Sequence, residues 1–288
     1  MKSILRLLRL PQYVKNLFIF VPLFFGNEIF NAPLMWNAFV AFVAFSLSAS
    51  SIYILNDLHD IHDDRKHPVK RYRPLASGAI SSSLAITIMC LAFVAGFGLM
   101  MVLSVKAVLI LSVYLLMNVG YTYKLKHIPV LDLTVVATGF VIRLIVGSVA
   151  TGVALSKWIV LMTFLLAFLL SLGKRRDDIL ILNDKGLKTR DNLEGYNLAF
   201  IEGAMMVMAA VTIVTYILYT TSEDIIERLH NDYLYLTSIF VIFGILRYLQ
   251  ITIVENKSGN PTNIILHDTI IQVTLILWIG FFLWIIYL

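Results

Sequence analysis

Asn56, Asp57, Asp60 and Asp64 are the residues of this chain best suited to chemistry. They stand in the stretch SIYILNDLHDIHDDRKHPVKRYRPLASG, residues 51–78, with Asp63 close by. Asn56, Asp60 and Asp64 recur every fourth residue and Asp57 lies three before Asp60, so on a helix these groups line one face. Carboxylates crowded in this way raise one another's pKa unless a cation neutralises them. Hard oxygen donors suit Mg²⁺, which takes one or two carboxylates and completes its shell with water and substrate phosphate. Asn56, Asp57, Asp60 and Asp64 form the expected metal-binding set, with the three aspartates as the catalytic residues. Arg65, Lys66, Lys70, Arg71 and Arg73 follow directly. Acids before bases is the order needed to grip a metal–diphosphate, acids on the metal and bases on the phosphate oxygens. Two other readings stand beside this one: a solvated loop whose mixed charges only orient the chain, and a transition-metal site at His59 and His62.

The elements that must position these residues are membrane helices. Of 288 residues, 59% are hydrophobic and only 14% charged, with mean hydropathy +0.84, whereas an ordinary globular chain carries about 25% charged residues. Charge-free runs such as Ala79–Val105, Gly203–Ser222 and Thr269–Leu288 meet the roughly 20 residues a helix needs to cross hydrocarbon. Barrel strands would instead alternate over about ten residues. The sequence predicts an all-α, polytopic bundle of about nine spans with a polar cavity facing the cytoplasm. The spans fall near 16–34, 37–56, 80–103, 106–123, 131–153, 157–173, 198–221, 233–250 and 268–288, and residues 1–288 read as a single integral membrane domain. Pro22, Gly26 and Glu28 interrupt the first span. Cys90 is alone, which excludes an intrachain disulfide and a thiolate metal cluster.

Charge sets the orientation. With the N-terminus on the cytoplasmic side, nineteen Lys and Arg fall in cytoplasmic segments and three on the far side. The net charge of +5 therefore reads as membrane orientation, and no nucleic-acid partner is expected. The opening MKSILRLLRLPQYVKN lacks a small-residue cleavage site and reads as a short amphipathic helix on the membrane surface rather than a signal peptide.

The string N-D-x-x-D-x-x-x-D at Asn56, Asp57, Asp60 and Asp64, followed by R-x-R-P-L-A-S-G at 71–78, resembles the signature of the UbiA-type intramembrane prenyltransferase superfamily. Further similar elements run almost end to end: PQYVKN at 11–16, LKHIPV at 125–130, GFVIRLIVG at 139–147, GKR at 173–175 and ILRYL at 245–249. Two departures select a branch. The ordinary prenyltransferases carry a second D-x-x-x-D after span 6, where this chain reads GKRRDDILILNDKG, and their Y-x-x-x-K after span 4 is replaced by Tyr121 with Lys124 and Lys126 at other spacings. One acidic motif with extra bases suits a metal–diphosphate plus a second anionic substrate. The chain is most similar to the branch that acts on polyprenyl phosphate. That resemblance implies transfer of a 5-phosphoribosyl group from phosphoribosyl diphosphate to a polyprenyl phosphate, Mg²⁺-dependent, at the cytoplasmic face of the inner (plasma) membrane, in cell-envelope biogenesis. The alternative is an aromatic prenyltransferase using a polyprenyl diphosphate. A third reading, a transporter or lipid-binding protein, leaves the acidic motif unexplained.

Arg143 is the basic residue placed well inside a span, and an ionisable group there faces a cavity or a partner. With phosphate-bearing substrates in view, the expected substrate-binding set is Lys15, Tyr53, Asn56, Lys66, Lys70, Arg73, Lys126, Arg143, Lys174 and Arg175. Lys15 sits at the mouth of span 1, Tyr53 one turn before Asp57, and Lys174 and Arg175 after span 6. Asp132 and Asp268, near span ends, read as structural. The polar segments 183–197 and 254–263 are candidates to cover the cytoplasmic mouth.

Overall fold

The computed structural model describes residues 2–66, 69–185, 191–229, 231–256, 264 and 267–287, and among these there is no strand. Of the two segments proposed to cover the mouth, 183–197 and 254–263, residues 186–190 and 257–263 lie outside the described residues. The helices are α1 (Lys2–Leu7), α2 (Val21–Phe25), α3 (Ala32–His59), α4 (Ile61–Lys66), α5 (Ser82–Leu103), α6 (Val105–Tyr123), α7 (Leu131–Thr151), α8 (Lys157–Lys185), α9 (Leu198–Thr220), α10 (Glu223–Leu229), α11 (Ser238–Leu249) and α12 (Thr269–Tyr287). Eight helical stretches among the described residues are long and apolar enough to cross a membrane, the seventh running Asp232–Val254 through a turn of π-helix. This is a multi-pass membrane protein.

The first expected span takes a different form. Leu10–Phe20 is a 3₁₀ helix of eleven residues that passes into α2, five residues long. Pro11 and Pro22 each lack an amide donor, which weakens a regular α-helical ladder here. Gly26 then lies so close to the Val153 side chain and the Pro22 carbonyl that no Cβ would fit. A 3₁₀ helix rises about 2.0 Å per residue against about 1.5 Å for an α-helix, so the combined stretch still reaches roughly 30 Å, the thickness of a hydrocarbon core. The N-terminal stretch forms the short helix expected of it. This helix, α1, buries Leu7 completely, in a cluster with Ile54, Leu75, Ile80 and Ala85, and leaves Ile4 and Leu5 exposed.

The chain divides into two compact units. The first, Met1–Lys126 with Thr138–Leu155, is organised around α3. Small residues make that helix packable: Ala41, Ala44, Ser48 and Ala49 are all buried, and Gly96 of α5 sits against Ala44 and Ser48 without room for a Cβ. Gly147 of α7 meets the Ile19 backbone in the same manner. The second unit, His127–Ala137 with Ser156–Leu288, has a core of Leu133, Leu169, Leu172, Ile201, Met205, Ile245 and Leu249. Its helix α8 runs well beyond the expected end near 173. Nothing between Lys174 and Lys185 breaks a helix, and the Tyr248 hydroxyl occupies the place a Cβ at Gly173 would take.

Candidate active site

The acidic motif begins on the last turns of α3. That helix ends at His59 and α4 opens at Ile61, yet the ladder bridges the junction: the Asp60 amide donates to the Asn56 carbonyl at 2.9 Å and the Asp64 amide to the Asp60 carbonyl at 2.8 Å. Asp57 and Asp64, two turns apart, therefore share a face, and each is only 2% exposed. One nitrogen joins them. Arg73 Nη1 donates to Asp57 Oδ1 at 3.0 Å and to Asp64 Oδ2 at 2.7 Å. A second guanidinium, that of Arg9, donates from Nη2 to the same Oδ1 of Asp57.

Both arginines arrive on short segments pinned by their neighbours. Arg73 follows a 3₁₀ turn over Lys70–Tyr72 and precedes buried Pro74, Leu75 and Ala76. Arg9 has the left-handed backbone φ 53°, ψ 47°, uncommon for a residue with a Cβ, and its guanidinium lies 5.0 Å from the Tyr53 ring centre. Leu7 and Leu75 pack in one cluster with Ile54 of α3, so the same apolar contact seats both arginine-bearing segments beside the acids.

Asp60 has a separate set of partners. Lys126 Nζ donates to its Oδ1 at 2.9 Å, His59 Nδ1 lies 2.9 Å from the same oxygen, and Asn56 Nδ2 donates to Oδ2 at 3.1 Å. The His59 ring stands edge-on to Tyr123 at 4.9 Å. Burial acts to raise the Asp60 carboxyl, but the hydrogen bonds and charges of His59 and Lys126 outweigh it and hold the group below its usual range.

The four expected metal donors thus fall into two pairs, Asp57 with Asp64 and Asn56 with Asp60. Opposite charge accounts for this, since Arg73 bridges Asp57 and Asp64 while Lys126 draws Asp60 aside. Among the described residues, no three acidic, imidazole or thiol groups gather closely enough to hold a metal ion. The Asp57–Asp64 pair nevertheless fits Mg²⁺ chemically. Its two carboxylates converge on a single positive nitrogen, and two is the number of carboxylates that Mg²⁺ commonly takes when phosphate and water supply the rest.

The remaining expected site residues are distributed as follows. Tyr53 backs Arg9, as above. Lys66 ends α4 and is exposed, and Lys70 is half-buried in the following turn. Lys15 is half-buried on the 3₁₀ segment, whose Tyr13 and Asn16 bond Ser50 and Ser46 of α3 at 3.0 and 2.8 Å. Arg143 is enclosed. Its Nε donates to Asn16 at 2.7 Å, Nη1 to the Gly139 carbonyl at 2.7 Å and Nη2 to Tyr114 at 3.1 Å, with Phe45, Tyr114 and Phe140 around the guanidinium.

In the second unit Lys174 is exposed on α8, whereas Arg175 is buried. Arg175 Nη2 donates to Asp132 and Nη1 to Asp178 at 3.1 Å. Tyr196 completes the group: its hydroxyl donates to Asp132 at 2.6 Å, accepts from the Val130 amide at 2.6 Å, and its ring lies 5.6 Å from the Arg175 guanidinium. Burial and the bond to Asp132 push the Tyr196 phenol up from its ordinary value. Val130 has φ 68°, an outlier for a β-branched residue, and its amide bond to Tyr196 holds that turn.

Sequence reasoning missed Arg9, Asn16 and Tyr114, and took Asp132 without its partners. Arg9 looked like one more basic residue of an amphipathic opening. The available signal was its position just ahead of PQYVKN, one of the segments that carried the resemblance.

Residues 17–262 match the model of the UbiA prenyltransferase family. The chain belongs to that family. Among curated relatives of this UbiA protein, decaprenyl-phosphate phosphoribosyltransferase of Mycolicibacterium smegmatis is 32% identical over 75% of this chain and 70% of its own length. The protein of the same name from Corynebacterium glutamicum is 29% identical over 96% of this chain and 84% of its own. Among solved structures, a UbiA homolog from Archaeoglobus fulgidus bound to GPP and Mg²⁺ superposes with a TM-score of 0.73 at 21% identity, covering 99% of this chain and 100% of that one. The apo UbiA homolog from Aeropyrum pernix K1 gives 0.68 at 17% identity, over 92% and 96%. These likenesses show that the UbiA fold spans the chain and that the protein is a membrane enzyme of this family.

Proposed function

We propose that the chain, acting as one UbiA-type domain, transfers a 5-phosphoribosyl group from phosphoribosyl diphosphate to a polyprenyl phosphate and releases diphosphate, with Mg²⁺ as cofactor. The observation that carries this reading is the first unit's cluster, in which two buried carboxylates and two guanidiniums meet at Asp57. Such a cluster supplies both halves of a metal–diphosphate site. The names of the relatives support the donor and the acceptor. The stretch where the superfamily carries its second acidic motif supports them too, for here the bases Lys174, Arg175 and Arg176 stand ahead of Asp177 and Asp178 and the D-x-x-x-D spacing is absent.

In this reading Asp57 and Asp64 would hold the cation, which would supply neutralisation of the charge growing on the departing diphosphate. Arg9, Arg73, Lys66, Lys70 and Lys126 bind phosphate oxygens, and Asn56 with Asp60 fixes the Lys126 ammonium. Departure of diphosphate leaves positive charge at the anomeric carbon, and bases aimed at the leaving oxygens lower that barrier. The lipid phosphate is already ionised near neutral pH, so no side chain has to remove a proton. Lys15 and Lys174 are assigned to the remaining phosphates, whereas Arg175, expected among them, is held by Asp132 and Asp178 and serves the fold. Arg143 is assigned to shaping the site from within α7, through Asn16 and Tyr114. The excess of Lys and Arg on alternate loops supports a cytoplasmic N-terminus and a site that opens toward cytosolic phosphoribosyl diphosphate.

The test is a direct comparison of donors. Purified protein with Mg²⁺ and polyprenyl phosphate is expected to release diphosphate from phosphoribosyl diphosphate. Turnover of a polyprenyl diphosphate with an aromatic acceptor, and none with the sugar donor, would replace this reading with aromatic prenyl transfer.

A further inference from the structure

We propose that Arg9 and Arg73 are internal counter-ions of the acidic pair, exchanged for metal and diphosphate together, so that the two ligands bind as one unit and each binds poorly alone. The inference rests on the metal–diphosphate reading of this cluster and adds to it a coupling between the ligands.

The argument is one of charge pairing in a buried place. The Asp57 and Asp64 side chains are each 3% exposed, and a buried carboxylate without a partner is strongly unfavourable. Within the chain that partner is supplied internally, by Arg73 Nη1 between the two acids and by Arg9 on Asp57. A divalent cation arriving alone must displace a guanidinium from between the carboxylates, and so strands that guanidinium without an anion. A diphosphate arriving alone meets arginines already neutralised by carboxylates and brings its own charge up against Asp57 and Asp64. When both arrive, the cation replaces the guanidiniums on the acids, and the diphosphate replaces the acids on the guanidiniums. Every charge then has a partner before and after.

The geometry suits this exchange. The acids are buried and fixed on helices, while the bases sit on short connecting segments and are the more exposed partners, 23% for Arg9 and 28% for Arg73. Arg9 is held over Tyr53 at 5.0 Å, a contact that can keep the guanidinium beside the site once it leaves Asp57. A planar fork can shift from carboxylate to phosphate oxygens with its hydrogen-bonding geometry intact, which an ammonium does less well.

The experiment titrates Mn²⁺, visible by electron paramagnetic resonance, into the purified full-length protein in detergent with no sugar or lipid present. The wild type is compared with Arg73→Gln and Arg9→Gln, and Asp57→Asn defines the signal that belongs to this site. With no diphosphate present, each glutamine variant is expected to bind Mn²⁺ roughly tenfold more tightly than wild type, a coupling of ordinary size. With inorganic diphosphate present, wild type is expected to bind the Mn²⁺–diphosphate complex and the variants to lose that advantage. Unchanged or weaker Mn²⁺ binding in a folded glutamine variant overturns the exchange. If Arg73→Gln does not fold, Arg9→Gln decides by the same criterion. The titration contains no ribose, so failure of phosphoribosyl transfer leaves its outcome intact, and the two proposals fail separately.

Discussion

Each unit of the molecule contains a buried acid–base cluster, and the two are built differently. Around Asp57 the acids are on helices and the bases on short segments that keep 23% and 28% of their side-chain surface exposed. Around Asp132 the cluster is closed: Arg175 and Asp132 are 4% and 0% exposed, both on helices, and Tyr196 and the Val130 amide complete the bonding. In the first cluster a base can leave its acid for another anion without losing access to water. In the second, each charge depends on the other. In the proposed reading the contrast separates a place where ligands exchange from one where a turn is held. Burial of an ion pair does not by itself mark a functional site.

Substitutions can break this contrast. The largest effect is expected for Asp57→Asn, which should lower kcat/KM for phosphoribosyl transfer on the order of 10³-fold, about 4 kcal/mol, by removing charge stabilisation at the leaving group. Steady-state kinetics on folded protein check this, and near-normal turnover would remove the first cluster from the chemistry. Next is Arg175→Gln, which strands Asp132 in a buried setting and should cost about 3 kcal/mol of stability, read as a lower unfolding midpoint in detergent. Changing Asp132 to Asn in the same chain should restore much of the loss; if it does not, the pair is not the main contact. Tyr196→Phe should cost about 1–2 kcal/mol by leaving the Val130 amide and one Asp132 oxygen unsatisfied, and amide hydrogen exchange should rise at Val130.

The smallest effect concerns acid. The folded-state pKa of Asp60 is depressed, so its contribution to stability is fully present above the unfolded value of about 3.9. It is lost as pH falls through the lower folded value. The difference in unfolding midpoint between wild type and Asp60→Asn should therefore be steady near pH 6 and shrink below about pH 4. A gap that stays constant over that window would mean that His59 and Lys126 do not hold this carboxylate.

The sequence made the membrane class, most span positions and the acidic motif legible, because apolar run length and charge spacing are local properties. Other features depend on contacts between distant residues. The four acid-motif residues were expected as one row, yet their division into Asp57 with Asp64 and Asn56 with Asp60 depends on Arg9, Arg73 and Lys126. The position of Arg9 ahead of PQYVKN does not reveal its partner, since its place over Tyr53 follows from burial of Leu7 in a cluster with Leu75 and Ile54. Asp132 read as a helix-end acid, and only the fold joins it to Arg175 and Tyr196, 43 and 64 residues away. The first span is legible in position but not in form, because hydropathy does not distinguish 3₁₀ from α geometry.

The most direct measurement is mass spectrometry of the lipids formed when purified protein is given isotopically labelled phosphoribosyl diphosphate, polyprenyl phosphate and Mg²⁺. The account predicts a labelled phosphoribosyl-phosphoryl lipid, absent with Asp57→Asn. Folded, lipid-loaded protein that leaves the polyprenyl phosphate unlabelled would contradict it.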